Sequence, residues 1–246
     1  MSGVEWEICW FDQIDSTNTY VREQARDGTP EGLVVVADHQ TAGRGRLGRR
    51  WESPPGVNLL ASVLLRPNID PAELHLCTTA VALAAMDACQ EVAGVGAVLK
   101  WPNDLLVDGA KLAGILAEAE FAGADLAAVV VGIGINVGWP GPPEAGGTSL
   151  EAAAGSPVDR RVLLHALLAA LGQHRSQLDF SAGRRALAEE GRRRCATLGQ
   201  HVRVTLEAEV ITGRAVAVDD SGRLVVETPT GSRRVTAGDV VHLRAG

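Results

Sequence analysis

The chain has 246 residues, of which 46% are hydrophobic and 22% are charged, and its formal net charge is −7. These values are typical of an ordinary globular protein, and the acidic charge excludes a general nucleic-acid binder, which needs a basic surface. We expect no apolar run to be long enough to span a bilayer, and the first ten residues carry acids rather than the basic start of a signal peptide. The four cysteines are scattered without disulfide or zinc spacing, which favours a reduced, cytoplasmic protein.

The first part of the chain is predicted to contain a strand, a helix, two strands and a long helix, at residues 5–14, 15–26, 32–38, 57–65 and 71–92. Asp15 or Ser16 is suited to cap the first helix, and Pro71 lies in the first turn of the second.

The rest of the chain is predicted to form short strands, a longer strand, two helices and a final set of short strands, at residues 97–120, 125–138, 159–180, 182–194 and 195–246. Asp108 and Gly109 suit a tight hairpin turn. The strand at 125–138 is expected to be buried on both faces and to end in a glycine-rich turn. The predicted class is α+β: a mixed sheet covered by helices in a domain at 1–194, then a small β-barrel-like domain at 195–246.

The segment "DHQTAGRGRLGRRW" (38–51) matches the opening of two phosphate-binding motifs. The dinucleotide fingerprint needs a helix after its last glycine, but Pro54, Pro55 and Gly56 follow instead and prevent one. A phosphate-binding loop needs Lys and then Ser or Thr where this chain has Arg49 and Arg50. Both interpretations therefore fail.

The same loop suits a polyanionic ligand. Its glycines allow close backbone approach, and its arginines supply forked donors for carboxylate or phosphate oxygens. Trp51 directly follows and could stack on a planar base. The alternative is a disordered basic turn beside a core tryptophan.

Lysine is rare in this chain: there are 21 arginines but only Lys100 and Lys111, which bracket "KWPNDLLVDGAK". An ammonium is a compact point charge and a guanidinium is a rigid fork, so a site can require one and reject the other. Chance survival of two surface lysines is the alternative.

Four stretches occur in order: "DSTN" (15–18), "HQTAGRGRLGRRW" (39–51), "KWPNDLLVDGAKLAGIL" (100–116) and "GIGINV" (132–137). Together they resemble the biotin protein ligases over roughly residues 5–194, and the small barrel resembles the family's SH3-like C-terminal domain. The family's loop is usually G-R-G-R-R-G, whereas Leu47 stands at its fifth position here, from which we expect at most weaker retention of the intermediate. We also expect a member without the family's DNA-binding N-terminal domain.

The resemblance implies a two-step ligase reaction. Biotin attacks the α-phosphate of MgATP to give biotinyl-5′-AMP, and a lysine of a biotin carboxyl carrier domain of an acyl-CoA carboxylase then takes the biotinyl group. The implied ligands are biotin, ATP and Mg²⁺, and no nucleic acid or membrane partner is expected. The protein is expected to be a cytoplasmic monomer or homodimer.

The resemblance also implies site residues. Lys111, Arg46, Asn103 and Asp104 would be catalytic, with Asp104 as a candidate Mg²⁺ ligand. Biotin would contact Ser16, Thr17, Asn18, Gln40, Gly43, Arg44, Arg46 and Lys111. ATP would contact Arg44, Arg46, Arg49, Arg50, Trp51 and Asn136. Purely structural roles for some of these residues stay open. "DSTN" could be only a helix cap, "WPND" a turn held by its own side chains, and Arg49 and Arg50 solvated charges.

Two rival functions are considered. Lipoate–protein ligase shares the fold and adenylate chemistry, but "GRGR", "KWPND" and "KLAGIL" favour biotin, and lipoate's apolar tail would not need Gln40. A non-catalytic binder or regulator is disfavoured because both lysines and the four loop arginines are present.

Overall fold

The computed structural model describes residues 4–243, so the outer ends of the two predicted domains lie outside the described residues. The strands of the large sheet are β1 (Glu7–Ile14), β2 (Leu33–Gln40), β3 (Leu59–Leu65), β4 (Val98–Lys100), β5 (Asp104–Val107), β6 (Ala110–Ala122) and β7 (Asp125–Ile135). They are ordered β1-β2-β3-β7-β6-β5-β4. Strands β1 and β2 are parallel and the other neighbours are antiparallel, which makes the sheet mixed, as predicted.

The helices are α1 (Thr17–Arg26), α2 (His75–Ala93), α3 (Leu150–Ala154), α4 (Arg160–Gln177) and α5 (Ser181–Arg193). Ser16 caps α1, since its Oγ accepts the Thr19 N–H at 3.5 Å. Pro71 was wrongly placed in the first turn of α2: it opens a separate 3₁₀ turn that Asp70 caps. Helix α3 was not predicted, because at five residues it is too short to show a helical period.

Helix α2 lies at the centre of the core. The segment Pro71–Ala93 has 23 residues and a mean hydropathy of 1.2, so by length and composition alone it could cross a membrane. The expectation that no apolar run is long enough to span a bilayer was therefore wrong. In the folded chain 61% of its apolar window is buried. Its run of alanines packs among residues of the large sheet and of α4. Small side chains allow this close packing, so a core position accounts for the hydropathy.

The two faces of the large sheet differ in the size of their side chains. Along β7, Val131, Ile133 and Ile135 enter the main core beneath α2. The alternate positions, Gly132 and Gly134, point to the opposite face. Both glycines lie inside the strand, within the predicted bounds, and an added Cβ at either position would meet a side chain on the opposite face. Helix α1 covers one part of that face, and the glycine-lined part stays open.

The C-terminal strands are β8 (His201–Thr205), β9 (Val210–Val218), β10 (Leu224–Thr228), β11 (Gly231–Val235) and β12 (Asp239–His242). They form an antiparallel sheet in the order β11-β10-β9-β8-β12. Alternate residues of β8 and β9 are buried, as the predicted period of two requires. Trp101 packs into the core of this sheet, and its Nε1 donates to the Gly222 carbonyl at 2.9 Å. The predicted α+β class with a small C-terminal β-domain is confirmed.

The contact between His75 and Gly222 makes the stability of the fold sensitive to pH. A Cβ at Gly222 would lie 2.7 Å from Cβ and Cδ2 of His75, so the two residues are closely packed. Burial lowers the pKa of His75 below its ordinary value of 6.5; Arg192 also lowers it, while Glu73, Asp219 and the Ala72 backbone oppose the shift. As the pH falls below about 6.5, the unfolded chain binds a proton that the folded chain resists, so stability decreases.

We expect the free energy of unfolding of the wild-type protein to be lower at pH 5.5 than at pH 7.5. The free energy of unfolding of His75→Gln should decrease less over the same interval. Urea unfolding of both proteins at the two pH values measures this difference. Equal losses in both proteins would contradict the assignment to His75.

Candidate active site

A cavity of about 710 Å³ opens on the glycine-lined face of the large sheet. Every predicted site residue except Gly43 lines it: Ser16, Thr17, Asn18, Gln40, Arg44, Arg46, Arg49, Arg50, Trp51, Asn103, Asp104, Lys111 and Asn136. The fold therefore brings together residues that are more than one hundred positions apart in the chain, while their individual roles stay predictions.

One end of the cavity carries uncharged hydrogen-bonding groups. Gln40 Oε1 accepts from the backbone N–H of Thr17 at 2.7 Å and lies 3.0 Å from its hydroxyl oxygen. With the carbonyl oxygen engaged in this way, the two amide hydrogens of Gln40 are the groups it can offer to a ligand. Ser16 and Thr17 are buried at the start of α1, so this end is preorganised by a helix terminus.

Asn18 is held by protein groups rather than aimed at the cavity. Its Nδ2 donates to the Leu116 carbonyl at 3.2 Å and to Glu118 Oε2 at 2.8 Å. Its Oδ1 lies 2.6 Å from the Ser62 hydroxyl. An added Cβ at Gly132 would lie 2.9 Å from Asn18 Cγ, so this strand position must be small. The geometry makes Asn18 an organiser of the pocket wall.

The arginine loop is not a helix N-terminus. After β2 it forms a single 3₁₀ turn, Arg46–Gly48, and no further helical element begins before Pro71. This geometry agrees with the failure of both phosphate-motif interpretations. Leu47, at the tip, is 64% exposed and has a φ of 56°. That left-handed conformation costs a leucine roughly 1–2 kcal/mol.

The four loop arginines have different partners. Arg44 donates to Glu118 at 2.9 Å, and Arg46 donates to Asn103 Oδ1 at 3.1 Å. Arg49 pairs with Asp239 of the C-terminal sheet at 3.2 Å, and Arg50 donates to the Thr41 carbonyl. Burial lowers the pKa of Arg46, which shows that its charge is partly withdrawn from water. An anion in the cavity would compensate that charge.

Lys111 lines the cavity and pairs with a carboxylate there. Its Nζ is 2.7 Å from Asp104 Oδ1 and 5.5 Å from the centroid of a Trp51 ring. The Asp108–Gly109 turn that precedes it has positive φ at both residues, as the tight hairpin requires. The hairpin thereby directs Lys111 back toward Asp104 on the adjacent strand. The ammonium is one-third exposed and available to a ligand.

Trp51 rests on two glycines of the sheet. A Cβ added at Gly114 would lie 2.9 Å from Trp51 Cζ3. A Cβ added at Gly134 would lie 2.7 Å from Trp51 Cζ2 and Nε1. The Trp51 backbone is held as well, since its N–H donates to the Gly43 carbonyl at 3.0 Å. The close approach of Gly43 to the Trp51 carbonyl leaves no room for a side chain, which places Gly43 beside the cavity as a support.

Asn136 is committed to holding a loop. Its Nδ2 lies 3.0 Å from the Pro140 carbonyl, 3.1 Å from the Thr148 carbonyl and 3.4 Å from the Lys111 carbonyl. The two amide hydrogens are therefore already used by three backbone acceptors. Within this arrangement Asn136 fastens the 138–148 segment to the strand that bears Lys111.

The "WPND" turn fixes Asn103 beside the cavity. Asn103 Nδ2 donates to the Ile115 carbonyl at 2.7 Å, and its own carbonyl accepts the Ile115 N–H at 2.9 Å. Its Oδ1 is thereby directed to Arg46. Asp104 begins β5 next to it and faces Lys111.

Sequence reasoning did not find three residues that contribute to this site: Ser62, Glu118 and Asp239. Glu118 had a signal, because it follows Gly114 and Leu116 at the period of two that defines the cavity face of β6. Ser62 similarly occupies the cavity face of an otherwise apolar strand. Asp239 has no local signal, since only the packing of the two domains brings it to the loop.

Residues 10–136 match the biotin/lipoate A/B protein ligase family, and residues 197–243 match the biotin protein ligase C-terminal domain. A biotin–[acetyl-CoA-carboxylase] ligase of Mycobacterium tuberculosis is 36% identical over 94% of this chain and 87% of its own length. A ligase of the same name from Paracoccus denitrificans is 34% identical, covering 93% of this chain and 97% of the relative.

A solved structure, the biotin protein ligase from Aquifex aeolicus in complex with biotin and ATP, superposes with a TM-score of 0.81. It is 28% identical and covers 97% of this chain and 99% of the other. The identity over nearly the full length, the matching C-terminal domain and the shared fold agree with one another. This chain belongs to the biotin protein ligase family.

Proposed function

We infer that this chain is an ATP-dependent biotin protein ligase, which forms biotinyl-5′-AMP and transfers the biotinyl group to a lysine of a biotin carboxyl carrier domain. The observation that carries the inference is a single cavity lined both by the uncharged hydrogen-bonding groups of Ser16, Thr17 and Gln40 and by the Lys111–Asp104 pair with the arginine loop. A neutral ring with a carboxylate tail, together with a triphosphate, needs both kinds of group.

The ring of biotin fits the end formed by Ser16, Thr17 and Gln40. A ureido group carries donors and an acceptor, and a buried ligand of this kind needs convergent polar partners. The Gln40 amide hydrogens can donate to the ureido oxygen, and the hydroxyls can accept from its N–H groups. Arg44 and Gly43 close this end at the base of the loop.

The first step joins two anions. A carboxylate oxygen of biotin attacks the α-phosphorus of ATP, the bond from phosphorus to the bridging oxygen breaks, and pyrophosphate leaves. Lys111 and Arg46 supply the positive charge that offsets the repulsion and aligns the reactants. Closure of the loop over the adenylate protects the mixed anhydride from water.

The nucleotide occupies the other end of the cavity. Trp51 offers an aromatic face for adenine, Arg49 and Arg50 attract the phosphates, and Asn136 supports the wall beside them. Arg49 is paired with Asp239 through an exposed contact, which is worth at most about 1 kcal/mol and is easily exchanged for a phosphate.

Magnesium would enter as the counter-ion of ATP, and Asp104 would be the residue that holds it. Within residues 4–243 no cluster of three or more His, Cys, Asp or Glu residues could hold a metal by itself. A single carboxylate, Asp104, is enough to hold an Mg²⁺ ion that arrives with ATP, because Mg²⁺ usually binds one or two carboxylates together with substrate phosphates and water. Bound there, the ion would neutralise phosphate charge.

The second step transfers the biotinyl group. The neutral ε-amine of the acceptor lysine attacks the anhydride carbonyl, the carbon–oxygen bond to AMP breaks, and an amide forms. Asn103 and Asp104 line the cavity where the amine must arrive and can steer it by hydrogen bonding. The acceptor is proposed to be the carrier domain of an acyl-CoA carboxylase.

The working environment is proposed to be the cytoplasm, where the free thiols of Cys9, Cys77, Cys89 and Cys195 are stable. The acidic net charge supports action without nucleic acid. The protein is proposed to act as a monomer or homodimer.

The boundary between the two domains is proposed at residues 194/195. Helix α5 ends at Arg193, and the segment after it pairs with β4: the Leu99 N–H donates to the Arg194 carbonyl and the Ala196 N–H donates to the Leu99 carbonyl.

Pyrophosphate exchange into ATP tests the proposal directly. With biotin as the added acid, we expect exchange that requires magnesium and that is absent when biotin is replaced by lipoate. Exchange with lipoate alone would assign the chain to the lipoate ligases. Folded protein without exchange for either acid would overturn the catalytic assignment in favour of a non-catalytic binder.

A further inference from the structure

We propose that Glu118 is a positioning residue that joins the biotin-ring pocket to the arginine loop, so that the ring end of the cavity is closed at Arg44. This inference rests on the proposed function. It assigns a role to a carboxylate that contacts two cavity-lining residues, Asn18 and Arg44, and that none of the reaction steps above uses.

One oxygen of Glu118 serves both sides of the site. Oε2 accepts from Asn18 Nδ2 at 2.8 Å and from Arg44 at 2.9 Å. The other oxygen, Oε1, accepts from Arg22 at 2.9 Å, which holds the carboxylate in one orientation. A pocket-wall residue and a loop residue that lie 26 positions apart are thus fixed to the same atom.

The contact through Asn18 continues into the pocket. Asn18 Oδ1 lies 2.6 Å from Ser62 Oγ, and Ser62 Oγ lies 2.7 Å from Thr17 Oγ1. Thr17 in turn donates its backbone N–H to Gln40 Oε1 at 2.7 Å, while its hydroxyl hydrogen is directed to Ser62 Oγ and that of Ser62 to Asn18 Oδ1. A continuous hydrogen-bonded path therefore runs from Arg44 to the amide of Gln40 through mostly buried groups, where such bonds support one another.

The loop is anchored at Arg44 and loose at its tip. Glu118 is 19% exposed and Arg44 is 40% exposed, whereas Arg49 and its partner Asp239 are both more than half exposed. The less exposed, charge-assisted contact is the stronger of the two. Glu118 thus fixes the base of the loop beside the ring pocket, and the tip stays free to close over the adenylate.

Glu120 supplies a matched comparison on the same face of the same strand. It binds Arg22 and Arg26 but contacts neither Asn18 nor Arg44. Glu120→Gln therefore removes a carboxylate from the same ion network without touching the path to the pocket. Any effect of general network stability should appear in both variants.

The test measures biotin-dependent pyrophosphate exchange and the release rate of biotinyl-5′-AMP in wild type, Glu118→Gln and Glu120→Gln. We expect Glu118→Gln to raise the KM for biotin and the release rate roughly tenfold, the size of losing one charge-assisted hydrogen bond. The kcat and the KM for ATP should change little, and Glu120→Gln should behave as wild type. A structural role alone would not separate the two KM values.

A double-mutant cycle with Arg44→Gln identifies the route. If Glu118 acts largely through Arg44, the two changes together will cost less than the sum of the separate effects. Equal biotin KM values in Glu118→Gln and Glu120→Gln, with an active wild type, would overturn the inference. An inactive wild type would instead overturn the proposed function, so the two failures are distinct.

Discussion

Lys111→Ala should reduce the rate of biotin adenylation by roughly 10²- to 10³-fold, the typical cost of removing one preorganised charge donor at a transition state. The Nζ of Lys111 is held at 2.7 Å from Asp104 in the cavity proposed to bring the carboxylate and the α-phosphate together. Thermal stability should change little, since a partly exposed ion pair contributes at most about 1 kcal/mol. Pyrophosphate exchange and a melting curve measure the two effects.

Two further variants sharpen this expectation. Lys111→Arg keeps the charge but places a larger planar fork between Asp104 and the Trp51 ring, so it should not restore the rate. Arg233→Ala removes a cation from the exposed pair with Glu209, outside the cavity, and should leave the rate unchanged. Exchange at the wild-type rate in Lys111→Ala would remove this residue from the mechanism.

Gly134→Ala should raise the Kd for ATP by roughly tenfold to a hundredfold. The added methyl would lie 2.7 Å from Cζ2 and Nε1 of Trp51, so the indole must leave its position. The backbone cannot retreat, because β7 is hydrogen-bonded to β3 on one side and β6 on the other. The expected size follows from the roughly 1–3 kcal/mol that stacking of one base on an aromatic ring contributes.

Gly132→Ala is the matched control for this effect. It lies two residues away on the same face of β7, but its methyl would meet Asn18, at 2.9 Å from Cγ, instead of Trp51. Titration calorimetry should therefore show weaker binding of biotin to Gly132→Ala and weaker binding of ATP to Gly134→Ala. The same loss for the same ligand in both variants would contradict the separate functions of the two glycines.

Several features could be predicted from the sequence because their causes are local. Ser16 precedes the periodic residues of α1 and caps it, and Asp108–Gly109 adopts the positive φ values that its residue types permit. The same holds for the arginine loop, where Pro54 and Pro55 exclude a helix whatever the rest of the chain does. The four ordered motifs were enough to indicate the family.

Glycine placement marks the limit of this reasoning. The sequence placed Gly132 and Gly134 within a predicted strand at 125–138 but gave no reason for glycine there, since glycine is more common in turns. In the structure they lie inside β7, because Asn18 and Trp51 approach the sheet there from distant parts of the chain. A residue required for close approach cannot be distinguished from a turn residue until its neighbour is known.

The sequence by itself determined the order of the longer elements, the α+β class with a small C-terminal β-domain, and most of the charged residues that line the cavity. Only the tertiary structure decided which side chains face the ligand and which support them. Asn136 is engaged by three backbone carbonyls, Glu118 joins Asn18 to Arg44, and Asp239 reaches the loop from the other domain. The physical reason is the range of the interactions: capping and turn preferences act within a few residues, whereas these contacts depend on strand register and domain packing between segments separated by up to 190 positions.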